Sequence, residues 1–474
     1  MRADKSNGTK LSAIPAWLVA GVDLSLVNLA LYGAFIIVAR TGPGLPGAYF
    51  TLLMPIVSLA ALFLFSALGL YSRQRGGFMP VLRALITSVA GLTVVSLVTA
   101  FWVWGFIWQG SYFVIAPFLM LLFLIAWRIL YWRLELWIHG RKKLLVIGEE
   151  TAAQLALEKL MNLPQGYFEV VKMLEPEEFG RLEEWLPEVD AVMVAGTLSL
   201  EQKNEVIRRS FDCGCEVFVI PDLYEIMLTR AVMTQVHDTP LIECHDMQLD
   251  FFQQFVKRTF DLTVALLLAL PALPIAICCG LAVKATSPGP VIFRQERVGL
   301  KGRTFTLYKL RTMVQDAEEE LGPVFASEED DRVTAVGRFL RSARLDELPQ
   351  LINVLKGDLS IVGPRPERPY FVARFSSEMP EYDLRHLVKP GITGMAQVAG
   401  LYATNTRDKL RYDLYYVADY SLLNDIRILL LTIPTIFSRE AARGVKREEI
   451  AAGEKLDSGC GPAPKTIEPQ ERQP

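Results

Sequence analysis

Long apolar stretches alternate with charged segments along the chain, and most of them cluster at the front. Ile14–Val38, Tyr49–Leu70, Leu82–Phe106 and Tyr112–Leu130 each approach the roughly 20 residues that a helix needs to cross a bilayer core. Arg73, Arg75 and Arg83 separate the second and third stretches, and Arg133, Arg141, Lys142 and Lys143 follow the fourth. The loops around Gly42–Gly47 and Trp108–Ser111 carry almost no charge. This predicts a four-helix transmembrane domain over residues 1–140 with both ends on the cytoplasmic side. The first stretch is too long for a signal-peptide core and lacks a small-residue cleavage site, so it is expected to remain a membrane helix. Trp102, Trp104, Trp108, Trp127, Trp132 and Trp137 sit near predicted helix ends, where indoles favour the headgroup level or simply pack. Asp23 and Asn28 fall inside the first helix, as functional groups or as contacts between helices.

A different rhythm begins at Lys143. Short apolar runs at Leu144–Gly148, Phe168–Leu174, Ala191–Ala195 and Glu216–Ile220 alternate with helical patterns through Leu163, near Arg181–Leu186 and through Phe211, the pattern of a small doubly wound α/β domain. The first strand ends in Gly148, like a dinucleotide fingerprint. Glu149, Glu150 and Thr151 then replace the glycines that would admit a pyrophosphate. A degenerate Rossmann-like, cytoplasmic regulatory or interaction domain is expected over residues 141–245.

A fifth apolar run, Phe260–Val283, has positive charge on both sides: Lys257 and Arg258 before it, Lys284, Arg294 and Arg297 after it. If it spanned the membrane, one flank would violate the positive-inside bias. Pro271 and Pro274 at its centre each remove a helix hydrogen bond. The expectation is therefore a re-entrant helix-break-helix over 260–283, with a fifth kinked span as the alternative, and the flanking cations at lipid phosphates and headgroups. Leu410–Ile436 reads as amphipathic helices, on the membrane surface or in a core. The polar segment 445–474 reads as a disordered tail.

Composition sharpens this division. The 474 residues are 51% hydrophobic, with mean hydropathy +0.28 and net charge -3, which excludes a wholly soluble protein. Residues 1–143 carry 12 Lys/Arg against 3 Asp/Glu, whereas residues 144–245 carry 7 against 19. So acidic a middle segment suits neither a nucleotide, a nucleic acid nor an anionic membrane surface; an acidic module without a ligand motif suggests a homodimer. Cys213, Cys215, Cys244, Cys278, Cys279 and Cys460 lack metal-ligand spacing and read as reduced thiols.

Candidate chemistry concentrates after the fifth run. Leu345, Leu348, Ile352 and Leu355 mark one helix face, and Asp346 and Glu347 fall off that stripe. Pro349 is expected to kink or restart the helix just after the acidic pair, and Arg341 lies five residues before Asp346. Paired carboxylates beside arginines suit a divalent cation holding a pyrophosphate, although an isolated pair is more often a solvated face. Lys284, Arg294, Arg297, Lys301, Arg303, Lys309 and Arg311 make the intervening stretch strongly basic. In Gly363-Pro-Arg365-Pro366 each residue before a proline is pushed from helical angles, so one guanidinium is displayed rigidly toward phosphate, or the segment is a plain turn. Lys389-Pro-Gly-Ile-Thr-Gly394 is a second rigid turn.

From Lys257 onward the blocks Lys257–Asp261, Ser287–Phe293, Gln295–Gly299, Tyr308–Met313, Arg341–Gln350, Leu351–Asp358, Gly363–Pro366 and Lys389–Gly394 together resemble the catalytic domain of the bacterial sugar transferases. The whole chain resembles their large polytopic branch. The resemblance implies a mainly α-helical catalytic domain over 246–444, and transfer of a hexose-1-phosphate from a UDP-sugar to undecaprenyl phosphate with loss of UMP. It also implies an inner-membrane setting and a place at the start of O-antigen, capsule or exopolysaccharide synthesis. It makes Asp346 the nucleophile, Asp346 and Glu347 the holders of Mg²⁺, and Arg341, Arg365, Lys309 and Arg311 the phosphate or nucleotide ligands. The family's Ser-Pro break is replaced here by Leu273-Pro274 with a second break at Pro271. Its Trp-Ala-Gln-Val with a nearby Asn-Gly-Arg becomes Met395–Leu401, with Arg385, Arg407 and Arg411 as candidate replacements for the missing arginine. A membrane-anchored nucleotide-sugar dehydratase or epimerase is disfavoured by the missing glycine fingerprint and Tyr-x-x-x-Lys. A non-catalytic membrane scaffold or sensor is disfavoured by the intact Asp346, Glu347 and Arg365.

Overall fold

The computed structural model describes residues 15–41, 47–71, 78–104, 110–148, 168–196, 198–229, 231–243, 247–314, 330, 332–399 and 405–436. Arg73, Arg75, Trp108, Glu149, Glu150, Thr151, the helix expected up to Leu163, Cys244, Cys460, Gly400, Leu401 and the 445–474 tail lie outside them. The chain divides into two compact units, Met1–Tyr224 and Glu225–Pro474.

In the first unit, helices α1 (Ala16–Thr41), α2 (Gly47–Ala67), α3 (Phe78–Trp104) and α4 (Tyr112–His139) occupy the four front apolar stretches. Ala16–Arg40, Phe78–Val103 and Tyr112–Glu135 are long and apolar enough to cross a membrane, while Thr51–Ala67 is a shorter apolar helix. α1 packs on α2 and α4, and α3 closes the ring between them. Val27, Ala30, Leu31, Ala34 and Val38 line the inner face of α1 at helical spacing, and Leu29, Tyr32 and Ile37 face outward. An outer surface this apolar suits lipid, not water. Trp102 and Trp137 are exposed near helix ends, whereas Trp127 packs on Tyr131 inside the bundle.

Asp23 and Asn28 of α1 are both contacts between helices. Asp23, fully buried, accepts from Arg128 Nη2 of α4 at 2.6 Å. The same guanidinium donates to the Leu70 carbonyl just past α2 at 3.2 Å. Asn28 Nδ2 donates to Ser58 Oγ of α2 at 3.0 Å.

The acidic middle segment forms an all-parallel sheet of β1 (Lys142–Gly148), β2 (Phe168–Leu174), β3 (Ala191–Ala195) and β4 (Glu216–Val219), in the order β2-β1-β3-β4. Leu144 to Ile147 are all buried, as a central parallel strand requires. Leu145, Ile147, Val192 and Val194 pack on one face with Leu182, Leu186 and Val206, the last from α5 (Leu200–Asp212); Leu144, Val146, Ala191 and Ala195 form the other face. A Cβ at Gly148 would stand 1.6 Å from the Ala195 carbonyl oxygen. Close strand packing therefore accounts for this glycine without any bound phosphate.

The second unit opens with an antiparallel hairpin, β5 (Val232–Val236) and β6 (Thr239–Glu243), that the sequence pattern does not announce. Next comes α6 (Phe251–Thr286), started by a capping box in which Asp250 accepts from Gln253 N and Gln253 Oε1 accepts from Asp250 N. The helix begins earlier and ends later than the expected 260–283. The helix also runs through Pro271 and Pro274 without a gap. Each proline lacks the N–H that would close one backbone bond.

Both ends of α6 pack on the same unit. Near the start, Asp261 accepts from Ile361 N and Ser360 Oγ, and Ala265 joins the core of Leu307, Val354, Ile361, Val362, Tyr416 and Ile428. Near the end, Val283 packs with Leu310 and Leu340, and Arg311 Nη2 donates to Ser287 O and Oγ, both at 2.8 Å. Between them Leu266, Leu267, Leu270, Leu273, Ile277 and Leu281 are exposed.

After α6 the antiparallel pair β7 (Ile292–Val298) and β8 (Thr304–Leu310) turns at Gly299–Arg303. Helices α7 (Ala335–Ser342) and α8 (Gln350–Lys356) follow, then β9 (Ser360–Val362), α9 (Pro369–Glu378), β10 (Gly391–Thr393) parallel to β9, α10 (Met395–Ala399), α11 (Thr406–Ala418) and α12 (Leu422–Ile436). In α8 the apolar positions of the expected stripe face outward. Ile352 and Leu355 are exposed, while Gln350, Asn353 and Val354 are buried. Asn353 looks inward because its side chain accepts from Tyr308 N and donates to Thr306 O, tying α8 to β8. Of the two C-terminal helices, α11 is a core helix, whereas α12 buries Asp425 and Ile428 and exposes Leu423 and Ile433.

Removing one partner of a buried ion pair leaves an uncompensated charge. Asp23→Leu is therefore expected to destabilise the detergent-solubilised chain by about 3 kcal/mol or more, and the double variant Asp23→Leu/Arg128→Leu to recover most of that loss. Thermal unfolding followed by tryptophan fluorescence checks both, and equal losses in the single and double variants would contradict the pairing.

Candidate active site

The chemistry-bearing residues meet where α7 hands over to α8. After α7 the chain reaches Arg344 with φ +53°, a left-handed conformation, and passes through a 3₁₀ turn, Leu345–Glu347. Pro349 then restarts the helix, as its position predicts. The reversal turns Asp346 and Glu347 inward: Asp346 is 8% exposed, and the side chain of Glu347 is 11% exposed.

The two carboxylates have opposite surroundings. Glu347 Oε1 accepts from Arg365 Nη2 at 2.7 Å and from Lys309 Nζ at 3.3 Å, and Arg344 Nη1 stands 3.9 Å from Oε2. Burial alone would raise its pKa, but the Arg365 guanidinium, then Lys309 and Arg344, override it and hold the carboxyl well below the usual range. Asp346 takes part in no hydrogen bond or ion pair among the described residues. Burial, then the adjacent negative charge of Glu347, pushes it up to about 6, against the pull of Lys309, Arg341 and Arg365. Lys309 is lowered by burial despite Glu347.

Arg365 is held by a strap, Gly363–Glu367, that runs beside β10. Its two prolines have no N–H to donate, so the strap is anchored through carbonyls. Pro364 O accepts from Gly391 N, Arg365 O from Arg385 Nη2, Pro366 O from Arg297 Nη1 and Glu367 O from Val298 N, at 2.8 to 3.0 Å. A Cβ on Gly363 would lie 2.4 Å from Lys389 O, and one on Gly391 would lie 2.1 Å from Gly363 N. Only glycine permits this approach. Arg385 is itself fixed by Asp413, at 2.7 Å from Nη2, and by the Tyr382 hydroxyl, at 2.7 Å from Nη1. Burial opposes its charge, and Asp413 more than restores it.

Arg341, in the last turn of α7, donates from Nε to Thr312 Oγ1 at 2.8 Å. Arg311 is 6% exposed, and its Nε and Nη1 have no hydrogen-bond partner among the described residues. Lys309, Arg341, Arg365, Asp346 and Glu347 are thus brought together, with Arg311 two residues past Lys309. The flanking cations divide. Lys284 and Arg294 are exposed at the end of α6 and on β7. Lys257, expected at headgroups, is instead 5% exposed: its ammonium donates to Asp425, Val362 O and the Tyr416 hydroxyl and lies over the Tyr416 and Tyr420 rings. Asp425 accounts for this burial, because it too needs a partner inside the core. Arg297 likewise serves the strap rather than a headgroup, and burial lowers its pKa to about 10.

Of the candidate replacements for the missing arginine, Arg385 is occupied by Asp413 and Arg411 pairs with Asp408 at 2.8 Å; Arg407 is exposed. Sequence reasoning missed Arg344, Asp413 and Tyr382. A left-handed arginine and a long-range buried pair leave no local pattern to find. No group of three or more His, Cys, Asp or Glu among the described residues converges on a metal-sized site. Asp346 and Glu347 alone therefore suit a cation that draws most of its ligands from substrate phosphates and water, as Mg²⁺ does.

A family model described as bacterial sugar transferase matches residues 252–439. The UDP-glucose:undecaprenyl-phosphate glucose-1-phosphate transferase of Escherichia coli (strain K12) is 34% identical over 323 residues, covering 64% of this chain and 69% of that protein. The UDP-N-acetylgalactosamine-undecaprenyl-phosphate N-acetylgalactosaminephosphotransferase of Aeromonas hydrophila is 41% identical over 231 residues, 48% of this chain and 53% of its own length. The undecaprenyl-phosphate galactose phosphotransferase of Salmonella typhimurium is 29% identical over 373 residues, 72% of this chain and 76% of that relative. The matched region holds the acidic turn, its cations and the strap, and the similarity to the first relative extends well beyond it: the chain belongs to the bacterial sugar transferase family.

Proposed function

We propose that this membrane protein transfers a hexose-1-phosphate from a UDP-sugar to undecaprenyl phosphate and releases UMP, beginning the synthesis of O-antigen, capsule or exopolysaccharide. The observation that carries the reading is the pair of unlike carboxylates: Asp346, without a hydrogen bond or ion pair among the described residues, beside Glu347 locked to Arg365 and Lys309. The named activities of the relatives agree with it.

In this reading a carboxylate oxygen of Asp346 attacks the sugar-bearing phosphorus of the UDP-sugar. A phosphorus–oxygen bond to Asp346 forms, the bond to the bridging oxygen breaks, and that oxygen leaves on UMP. A phosphate oxygen of undecaprenyl phosphate then attacks the same phosphorus and expels Asp346, restoring the carboxylate. Arg341 and Arg365 hold non-bridging oxygens. Lys309 lies beside the same carboxylates, and the two unpartnered nitrogens of Arg311 are available to phosphate or nucleotide. Mg²⁺ would be held by Asp346 and Glu347 together with the pyrophosphate, and would neutralise charge that develops there. Glu347, ionised at any working pH, keeps a fixed negative charge beside the nucleophile and keeps the guanidinium of Arg365 in place.

The long apolar helix reads as re-entrant. A straight helix of 36 residues would be about 54 Å long, far more than the roughly 30 Å core of a bilayer. Ala265 and Val283, about 27 Å apart on a straight helix, pack in clusters that contain Leu307 and Leu310 of one strand, which are about 10 Å apart. Both ends on one unit with a bare apolar middle support a bend at Pro271 and Pro274. With the Lys/Arg bias of the front loops, this supports an inner-membrane protein whose catalytic part and acidic α/β domain face the cytoplasm.

Purified chain with Mg²⁺ and undecaprenyl phosphate is expected to release UMP from one member of a UDP-sugar panel. Asp346→Asn should lower that release by at least about 10³-fold; full activity in the variant would remove Asp346 from the chemistry. Because the nucleophile must be ionised, activity should fall as pH drops through about 6, and the pH profile of kcat/KM checks it. The same raised pKa favours the protonated form in the folded state, so ionised Asp346 costs stability above pH 6 or so. Asp346→Asn is therefore expected to raise the thermal midpoint at pH 8, and the gain should vanish toward pH 4.

A further inference from the structure

A second cationic site lies at the far end of α8 from the carboxylates. Gly357 closes α8 with φ +94°. From the position of a Cβ on that glycine, Arg258 Nη2 and Lys389 Nζ are both 3.6 Å away. Two cations from segments 131 residues apart in sequence therefore converge over one point of backbone. Arg258 is partly engaged, donating from Nη1 to Val354 O at 2.7 Å and from Nη2 to Leu355 O at 2.9 Å, carbonyls at the end of α8. Lys389 has no hydrogen bond or ion pair among the described residues. Burial, then the nearby Arg258, lowers its pKa. Asp261 is spent on Ile361 N and Ser360, and Asp358 is the other carboxylate in reach; neither closes an ion pair with Lys389.

Exposed apolar side chains lie along both helices that meet at this pair. Phe255 stands one turn before Arg258 on α6 and is exposed, as are Phe251 and Phe252, and Leu355 and Ile352 of α8 are exposed on the same helix that Arg258 caps. Arg258 also sits just ahead of the apolar run of α6. Cations among exposed aromatic and aliphatic side chains, at the mouth of a membrane-inserted helix, match the headgroup layer, where anionic lipid attracts basic residues.

We propose that Arg258 and Lys389 bind the phosphate of an anionic phospholipid at the membrane surface, at a site separate from Asp346. The phosphate accepts from both cations, relieves their mutual repulsion and fixes the depth of α8. The seven residues of α8, about 10 Å of helix, lie between this pair and the turn that carries Asp346. The site rests on the membrane placement of α6 and not on the transferase chemistry.

The test uses the full chain in nanodiscs of phosphatidylcholine with a minority of phosphatidylglycerol, with lipid retention read by native mass spectrometry. Lys389→Gln loses no bond of the fold and should keep the wild-type thermal midpoint. Retained phosphatidylglycerol should fall about fivefold, the worth of one basic residue at an anionic surface, and Arg258→Gln should lower it as well. Millimolar inorganic phosphate should not displace the lipid, and Asp346→Asn should retain it fully while losing UMP release. Unchanged retention in Lys389→Gln would overturn the proposal. Displacement by inorganic phosphate would overturn it in favour of a soluble anion. A raised KM for undecaprenyl phosphate in Lys389→Gln, with phosphatidylglycerol retention unchanged, would overturn it in favour of the acceptor lipid.

Discussion

The ion pair between Glu347 and Arg365 organises the catalytic unit. A carboxylate this buried would protonate if left alone, and the 2.7 Å contact from Arg365 prevents that. The fixed charge on Glu347 then acts on its neighbour, helping to raise Asp346 toward neutrality. One contact thus separates two adjacent carboxylates into unlike groups, a permanent anion and a poised one. Arg365 can do this only because the strap does not move. Each of its four successive carbonyls has a donor, and one of those donors, Arg385, is locked by Asp413 and Tyr382. The rigidity of the site therefore originates two shells away, in a buried pair that touches neither carboxylate.

The membrane helix depends on buried charge in the same way. Lys257 and Asp425 are both enclosed, and each would be costly without the other. Together with Asp261 they hold the start of α6 to β9 and α12, while Val283 and Ser287 hold its end to β8 and α7. With both ends fixed, the bare apolar middle has lipid as its only suitable environment.

Much of this was legible in the sequence, and the reasons for the rest are physical. The front helices and the four parallel strands showed because burial imposes a period or a continuous apolar run, as at Val27–Val38 and Leu144–Ile147. The acidic turn, its cations and the strap showed because several blocks occur in a fixed order. What stayed hidden depends on direction and long-range pairing. Lys257 and Lys284 look alike beside an apolar run, yet one points into the core and the other into solvent. The pairing of Arg385 with Asp413 spans a sequence distance that no local pattern encodes. The apolar stripe at Leu345, Leu348, Ile352 and Leu355 was visible, but its spacing does not say which side faces the protein, and the usual rule that apolar faces point inward fails for Ile352 and Leu355. That rule assumes water outside.

The outward apolar face of α8 links the membrane to the chemistry. Its polar side, through Asn353, is fastened to the strand that carries Lys309, and its N-terminal end continues the turn that carries Asp346 and Glu347. Its apolar side, Ile352 and Leu355, is exposed. In the proposed membrane placement, a helix so arranged has its apolar face in lipid and its polar face toward the protein. Since Asn353 fixes α8 to β8, any change in the depth of α8 carries β8 with it, and the carboxylates and Lys309 move as one body. In the proposed transfer, the depth of α8 in the membrane surface would set the height at which Asp346, Glu347 and Lys309 meet a nucleotide-sugar and a lipid phosphate.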